Sequence, residues 1–148
     1  MEKGNKTKKG KRMGTRKETW TGMNWIRQDK RLAIYLRDGM ACMYCGSTIE
    51  DGAQLSLDHV KPHSKGGSNS ERNLVCCCSK CNSVRGNRPV EDFAADVAGY
   101  LAVVTAEDIM ASIRSNTRKS LKAYRIEAKE LIARRGSAAK ALAALASE

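Results

Sequence analysis

Two Cys-x2-Cys pairs constrain the fold of this 148-residue chain more than any other feature of its sequence. Cys42 and Cys45 form the first pair, Cys78 and Cys81 form the second, and 32 residues lie between them. Four thiolates in two such pairs are the usual ligand set of a closed, tetrahedral zinc site. The pattern therefore predicts a structural zinc ion that ties two distant segments together, with a substantial structure looped out between them.

Cys76 and Cys77 are the other two cysteines, and they lie in an apolar run. Free cysteine is readily buried as a small apolar residue, and we favour burial for both. Cys77 also stands at a feasible ligand spacing from Cys81, so Cys77 in place of Cys78 is an alternative zinc ligand. Cysteines used for metal rather than for disulfides are typical of a reducing compartment, which predicts a cytoplasmic location.

The net charge of +11 is concentrated towards the two ends of the chain. Residues 1–37 contain twelve Lys or Arg and three acidic residues, whereas residues 38–104 contain six and eight. Basic ends around a near-neutral centre favour a polyanionic partner, although the charge could also serve solubility alone. No apolar run approaches the roughly 20 residues needed to cross a bilayer, so a membrane partner is not expected.

The hydrophobic pattern predicts an α+β fold in which a small strand–loop–strand–helix unit is flanked by helices. The basic, largely polar composition of residues 1–20 predicts a disordered arm. Helices are predicted at residues 25–38, at 79–84 and from Pro89 to a stop at Gly99. A longer helical pattern covers residues 105–135, with a predicted break near residues 115–117. A short helix is predicted after Gly136. Strands are predicted at residues 55–60 and 73–77.

Four polar side chains between and beside the cysteine pairs form a candidate catalytic set. Asp58 offers a carboxylate oxygen and Asn82 an amide oxygen, and both suit a hard cation such as Mg²⁺. His59 has the type of side chain that titrates near neutral pH, which suits a general base for water. Asn73 could orient that imidazole through its amide or its main-chain oxygen. Singly, each of the four has an ordinary explanation as a cap or turn residue, but together they favour phosphodiester hydrolysis.

The chain resembles the HNH endonuclease family in four motifs: Asp58-His59-Val-Lys-Pro62, Gly66-Gly67, Asn73-Leu-Val75 and Cys78-x2-Cys81-Asn82. The run from Arg37 to Gly46 resembles the zinc-containing, four-cysteine branch of that family, as found in phage and mobile-element nucleases. The resemblance covers roughly residues 31–98 and implies a ββα-metal (His-Me finger) core that cleaves DNA with one divalent cation, Mg²⁺ or Mn²⁺.

By this resemblance, His59 corresponds to the general base, Asn73 to the middle Asn, Asn82 to the third His/Asn position and Asp58 to the acidic cation ligand. The implied organisation is a basic arm at residues 1–20, a nuclease domain with the zinc site at 21–100 and a helical extension at 101–148. The resemblance to phage and mobile-element nucleases is compatible with a phage-encoded chain, and it predicts the cytoplasm of a bacterial host as the location.

DNA is the expected partner, and the basic side chains nearest the site are the expected phosphate contacts: Lys61, Lys65, Lys80, Arg85 and Arg88. His63 is either a further phosphate contact or a solvated loop residue. Two other functions stay open, namely a zinc-containing nucleic-acid-binding module without catalysis and an accessory protein that acts through its carboxy-terminal helices. The complete set of four polar residues argues against both. The sequence does not distinguish a monomer from a homodimer.

Overall fold

The computed structural model describes residues 25–147, and the predicted basic arm at residues 1–20 lies outside them. Two strands and six α-helices follow one another in this part of the chain: α1 (Gln28–Arg37), β1 (Leu55–His59), β2 (Leu74–Cys78), α2 (Ser79–Arg85), α3 (Val90–Leu101), α4 (Ala106–Thr117), α5 (Lys122–Arg135) and α6 (Ala138–Ala146). The predicted α+β class is therefore confirmed. Between residues 25 and 147, no helix has the length and apolarity to span a bilayer.

The two strands pair in antiparallel register, with Leu55 opposite Cys78 and His59 opposite Leu74. Successive side chains of a strand point to opposite faces, so each strand divides its residues between two environments. Every residue of β2 is buried. The hairpin is therefore covered on both faces, as a pair of strands without further neighbours requires for stability.

The first face packs against α1, α5 and α6. Leu57 of β1 and Leu74 and Cys76 of β2 supply the strand side of this cluster. The helices and the segment before α1 supply the rest: Ile26, Leu32, Ala33, Ile34, Tyr35, Leu121, Ala128, Ala138 and Ala141. We refer to these residues as the α1 cluster.

The second face packs against α3 and α4. Val75 and Cys77, which alternate with the β2 residues of the α1 cluster, supply the strand side. The other buried members are Cys42, Tyr44, Cys78, Cys81, Val90, Phe93, Ala94, Val97, Ile109 and Ile113. We refer to these residues as the α3 cluster. Both clusters join residues from before and after residue 100, and the predicted division at that point stays a prediction.

Some helix ends follow local signals and others do not. Thr105 and Asp108 form the predicted capping box, each accepting the other's main-chain N–H at 3.0 Å. The helix predicted at residues 25–38 begins later, at Gln28, after an N-cap that makes no side-chain hydrogen bond. The carboxy-terminal helical pattern does divide in two, but at residues 118–121, just after the predicted 115–117, and Gly136 ends α5 at φ +98°. The predicted stop at Gly99 is wrong, because α3 continues to Leu101, which packs on the α3 cluster, and Ala102 takes the left-handed conformation instead.

A buried ion pair fastens the end of α1 to β2. The Arg37 guanidinium donates to both carboxylate oxygens of Asp38, at 2.7 and 3.0 Å, and both side chains are fully buried. Arg37 also donates to the main-chain oxygens of Glu71 and Leu74, and Asp38 accepts the N–H of Cys76 at 2.8 Å. Each charge is thus satisfied by both a counter-ion and the backbone, which is what burial of an ion pair requires.

The Asp38→Ala variant is expected to lose about 3 kcal/mol of folding free energy, because it leaves the buried Arg37 charge without its partner. Asp96→Ala is the matched control, since Asp96 pairs with Arg88 where both side chains are about half exposed, and a loss below about 1 kcal/mol is expected there. Urea denaturation of the metal-loaded proteins measures both values. Equal losses in the two variants would contradict the role given to the buried pair.

Candidate functional site

The four cysteines of the Cys-x2-Cys pairs converge in the structure. The sulfur atoms of Cys42, Cys45, Cys78 and Cys81 all lie within 4.8 Å of one another. The Cys45 and Cys78 sulfurs are 3.7 Å apart, and sulfurs bound tetrahedrally to zinc at about 2.3 Å would be roughly 3.8 Å apart. The donor set and its spacing therefore fit a metal ion, and each of the six cysteines is a free thiol.

Each pair is held by a tight turn. In the first pair, Gly46 donates its N–H to the carbonyl of Cys42 and takes φ +81°, a conformation that glycine adopts without strain. In the second pair, Cys78 is the N-cap of α2, and its sulfur accepts the N–H of Cys81 at 3.4 Å. The sulfur cluster thus joins the turn after α1 to the first turn of α2.

The thiols of the cluster differ in acidity. A hydrogen bond from Cys81 lowers the pKa of the Cys42 thiol to about 5, and the same contact raises the pKa of Cys81. Cys76 and Cys77 lie outside the cluster, and burial raises the pKa of both thiols. Their burial, with no exposed area, confirms the prediction that they pack as small apolar residues.

Asp58 lies on the α3-cluster side of the hairpin. Its Oδ2 accepts from the Tyr44 hydroxyl at 2.5 Å and from Arg85 Nη1 at 2.6 Å. Burial, followed by the charge of Asp58, raises the pKa of Tyr44, so that hydroxyl stays a donor. Among residues 25–147, Oδ1 of Asp58 has no hydrogen-bond partner. One carboxylate oxygen is therefore held by two donors, and the other accepts no hydrogen bond from the described residues.

Arg85 connects the strand end to α2 from the inside. Its side chain is 1% exposed, and it donates to the main-chain oxygens of His59 at 2.6 Å, Val60 at 2.8 Å and Arg88 at 3.0 Å as well as to Asp58. The sequence predicts Arg85 as a phosphate contact, but the structure commits its guanidinium to internal acceptors. Arginine is seldom buried unless it is paired. The partner of Arg85 is Asp58, which is 27 positions away in the chain, so the residues around Arg85 do not predict its burial.

His59 lies at the end of β1 and points towards α1. Its Nε2 is 2.8 Å from Asn69 Oδ1, and its ring stacks on Trp25 with a centroid separation of 5.1 Å and an interplanar angle of 30°. The His63 ring meets it edge-on at 5.6 Å. Among the described residues, no hydrogen bond involves Nδ1 of His59. Sequence reasoning missed Trp25 and Asn69, since neither lies in a motif.

Asn73 fastens the loop between the strands rather than the imidazole. Its Oδ1 accepts the N–H of Lys61 at 2.8 Å, and its Nδ2 donates to the carbonyls of Lys61 at 3.1 Å and Ser68 at 2.9 Å. The loop packs so closely that a Cβ at Gly67 would lie 1.8 Å from the carbonyl oxygen of Lys61. The predicted contact of Asn73 with the His59 ring is made by Asn69 instead.

Asn82 lies on α2 and faces β1. Its Nδ2 donates to the Ser56 hydroxyl at 3.1 Å and to the carbonyl of Leu57 at 3.4 Å. These bonds leave its Oδ1 without a donor among the described residues. Ser56 and Asp58 share a strand face, so Asn82 and Asp58 both lie on the α2 side of the hairpin.

The remaining predicted phosphate contacts are exposed. Lys61, His63 and Lys65 lie in the loop between the strands, Lys80 lies on α2, and Arg88 lies just after α2. Arg88 is paired with Asp96 and lies 5.4 Å from the Phe93 ring, so it is more constrained than the lysines.

The contacts therefore sort the predicted residues into two groups that share the end of β1. Asp58 and Asn82 lie on the side of α2, whereas His59 lies with Trp25 and Asn69 on the side of α1. Arg85 bridges the groups, since it bonds the carboxylate of Asp58 and the main-chain oxygen of His59. Within the described part of the chain, the arrangement offers an imidazole with one unbonded nitrogen and, one residue away, a carboxylate with one unbonded oxygen.

Comparison with known proteins places the site within a recognised family pattern. Residues 42–88 match the model of the HNH endonuclease family. A CRISPR-associated endonuclease Cas9 from Actinomyces naeslundii is 46% identical over 60 residues, which are 40% of this chain and 5% of that protein. A Cas9 from Corynebacterium diphtheriae is 35% identical over 63 residues, 42% of this chain and 6% of the relative. The chain thus spans a small fraction of the length of these relatives.

Two further similarities were found, one to a second family model and one to a solved structure. Residues 100–147 match the model of the DDX21/DDX50 dimerisation domain. The crystal structure of the Type II-C Cas9 enzyme from Actinomyces naeslundii superposes with a TM-score of 0.41 and 24% identity, over 69% of this chain and 12% of that one. An overlay this loose supports no argument about function. The segment that holds the four cysteines, Asp58, His59, Asn73 and Asn82 matches the HNH endonuclease family, as the sequence predicts.

Proposed function

We propose that the chain is a metal-dependent DNA endonuclease in which His59 is the general base that activates water. The observation that carries the proposal is the coincidence of the HNH family match with a histidine whose ring contacts Asn69 at Nε2 and has no hydrogen bond at Nδ1 from any residue between 25 and 147. A neutral imidazole accepts a proton at its unprotonated nitrogen, so Nδ1 is the atom that would take the proton from water.

Asp58 and Asn82 are the proposed ligands of one divalent cation, Mg²⁺ or Mn²⁺. Oδ1 of each residue has no donor in the described range 25–147, and both oxygens are hard ligands of the kind that these cations prefer. A bound cation would supply charge stabilisation for the phosphate oxygen as the bond to the leaving group breaks. The protein's own part is to fix the carboxylate through Tyr44 and Arg85 and the amide through Ser56.

DNA is the proposed substrate. The exposed lysines of the inter-strand loop and of α2, Lys61, Lys65 and Lys80, are the described side chains best placed to bind phosphates, together with His63 and Arg88. Such contacts give affinity through release of counter-ions and do not depend on base sequence. Arg85 is excluded from this set by its burial.

The metal in the four-cysteine cluster is proposed to be zinc. Four thiolates suit zinc, and a closed shell of four protein ligands indicates a structural rather than a catalytic ion. Its place at the N-terminus of α2 would hold the helix that carries Asn82 and Arg85. Folding and metal binding are then expected to be coupled.

Metal analysis is expected to find about one zinc per chain, and Cys42→Ser is expected to lose the ion and to unfold, because three thiolates no longer close the shell. Cys77→Ala is the matched control and should keep the zinc, since Cys77 lies outside the cluster. Elemental analysis with circular dichroism measures both properties. A folded, zinc-free wild-type chain would refute the site, and loss of zinc in Cys77→Ala would reassign the ligand.

His59→Ala is expected to lower the rate of plasmid nicking by a factor of about 10² or more, the usual contribution of a general base. His63→Ala is the comparison variant, because it removes the other histidine, whose ring lies beside His59. As a proposed phosphate contact, it is expected to weaken DNA binding but to leave the nicking rate at saturating DNA near the wild-type value. Nicking of supercoiled plasmid is followed with and without Mg²⁺, and DNA binding is measured separately in both variants.

Normal nicking by His59→Ala would refute the assignment of the base. Binding of DNA by the wild-type chain without any metal-dependent nicking would instead support the non-catalytic nucleic-acid-binding module.

Asn82→Ala is expected to raise the Mg²⁺ concentration for half-maximal nicking about tenfold, a cost of roughly 1.4 kcal/mol, because one cation ligand is lost. Asn87→Ala is the control, since Asn87 is an exposed asparagine just after the same helix. The rate at saturating Mg²⁺ should recover at least in part. An unchanged Mg²⁺ requirement in Asn82→Ala would remove Asn82 from the cation site.

A further inference from the structure

We propose that Asn69 and Trp25 are positioning residues that hold the His59 imidazole with Nε2 protonated and with Nδ1 as the proton acceptor. The proposal rests on the function proposed above, in which His59 is the base. Neither residue belongs to the motifs that the sequence singles out. Both act through His59, and neither is assigned a contact with the substrate.

The contact with Asn69 sets the tautomer. The amide oxygen of Asn69 lies 2.8 Å from Nε2 of His59, and an amide oxygen can only accept a hydrogen bond. The contact is therefore a hydrogen bond only when Nε2 carries the proton, and in the neutral ring that leaves the lone pair on Nδ1. A partner on one ring nitrogen commonly fixes the chemistry of the other in this way.

The contact with Trp25 sets the plane of the ring. The indole stacks on the imidazole at 5.1 Å, and its own position is fixed by Arg31, whose guanidinium carbon lies 5.5 Å from the indole centroid. Arg31 is 7% exposed and donates to the Tyr35 hydroxyl at 3.3 Å. A buried cation on an aromatic ring is a stable support, so α1 presents a fixed surface against which the imidazole lies.

Asn69 is itself held in place, although its side chain is exposed. Its carbonyl accepts from the Lys30 ammonium of α1 at 2.9 Å. The preceding residue, Ser68, has its carbonyl bound by Asn73 at 2.9 Å. The loop is thus fixed from α1 and from the start of β2 on either side of the residue that meets the imidazole. Asn73 serves the base indirectly, through the loop that carries Asn69.

Several charged or titratable groups surround His59, and they remain the same in every variant proposed below. They are His63 beside the ring, Asp58 as its chain neighbour, Lys30 and Arg31 from α1, Glu71 paired with Lys30, and Arg85 on the His59 carbonyl. A change in the behaviour of the ring on substitution of Asn69 is therefore attributable to the lost or altered acceptor.

The first test reads the tautomer directly by ¹⁵N NMR of the imidazole in the full, metal-loaded chain. The wild type is expected to show the Nε2–H form at a pH where the ring is neutral. Asn69→Ala is expected to show a mixture of both forms, and Asn87→Ala should match the wild type. A wild-type ring that is mainly Nδ1–H, or an unchanged tautomer in Asn69→Ala, would overturn the proposal.

The second test measures the rate of single-turnover DNA cleavage against pH, with DNA affinity measured in parallel. Asn69→Ala and Trp25→Ala are each expected to lower the rate by about 10- to 100-fold, as loss of an orienting partner does, without weakening DNA binding. Trp25→Phe should restore most of the rate, because an aromatic ring returns. A Trp25→Phe rate as low as that of Trp25→Ala would remove stacking as the cause.

Asn69→Asp separates positioning from simple folding. The introduced carboxylate still accepts from Nε2, so this variant should keep the Nε2–H tautomer that Asn69→Ala loses. A mixture of tautomers in Asn69→Asp as large as that in Asn69→Ala would overturn the contact. If the wild-type chain cleaves no DNA, the proposed function fails, while the tautomer measurement still decides whether Asn69 fixes the ring.

Discussion

A two-stranded hairpin without further strands has to be covered on both faces, and this requirement organises the rest of the protein. β2 is buried at all five positions, and alternate residues enter the α1 cluster and the α3 cluster. The carboxy-terminal helices are therefore part of the cover of the site-bearing strands. The same alternation separates neighbouring residues of β1, so that Asp58 and His59 meet different surroundings from adjacent positions in the chain.

Buried charge appears at both edges of this hairpin. Arg37 and Asp38 bind the backbone of β2 from α1, and Arg85 binds the backbone after β1 from α2. In each case the guanidinium satisfies main-chain carbonyls as well as a carboxylate. Desolvation of these ions costs free energy that only complete hydrogen bonding offsets. The strands are thus held by directional contacts to their backbone as well as by apolar packing of their side chains.

The local elements of the fold could be read from the sequence, because hydrophobic period, capping residues and breakers act within a few positions. The strands, the capping box at Thr105 and the break between α4 and α5 follow such signals. The predicted end of α3 at Gly99 was wrong, because the packing of Leu101 outweighs the low helix propensity of one glycine.

The convergence of four sulfurs also followed from the spacing of the cysteines. The partners of individual polar groups did not, because they depend on contacts between distant segments. Trp25 contacts His59 although more than thirty residues separate them in the chain. Arg85 is enclosed by hydrogen-bond acceptors that the neighbouring sequence does not predict. The motif residues indicate the segment that matches the HNH endonuclease family; the contacts made by their side chains required coordinates.

The internal bond between Arg85 and Asp58 has a consequence for how ions reach the site. A guanidinium stays protonated throughout the physiological range, so the carboxylate is already neutralised from within before any metal arrives. At the proposed cation site, this internal neutralisation leaves little net attraction for a dissolved divalent ion. The proposed function then implies that ion and nucleic acid load together, since each supplies charge that the other needs.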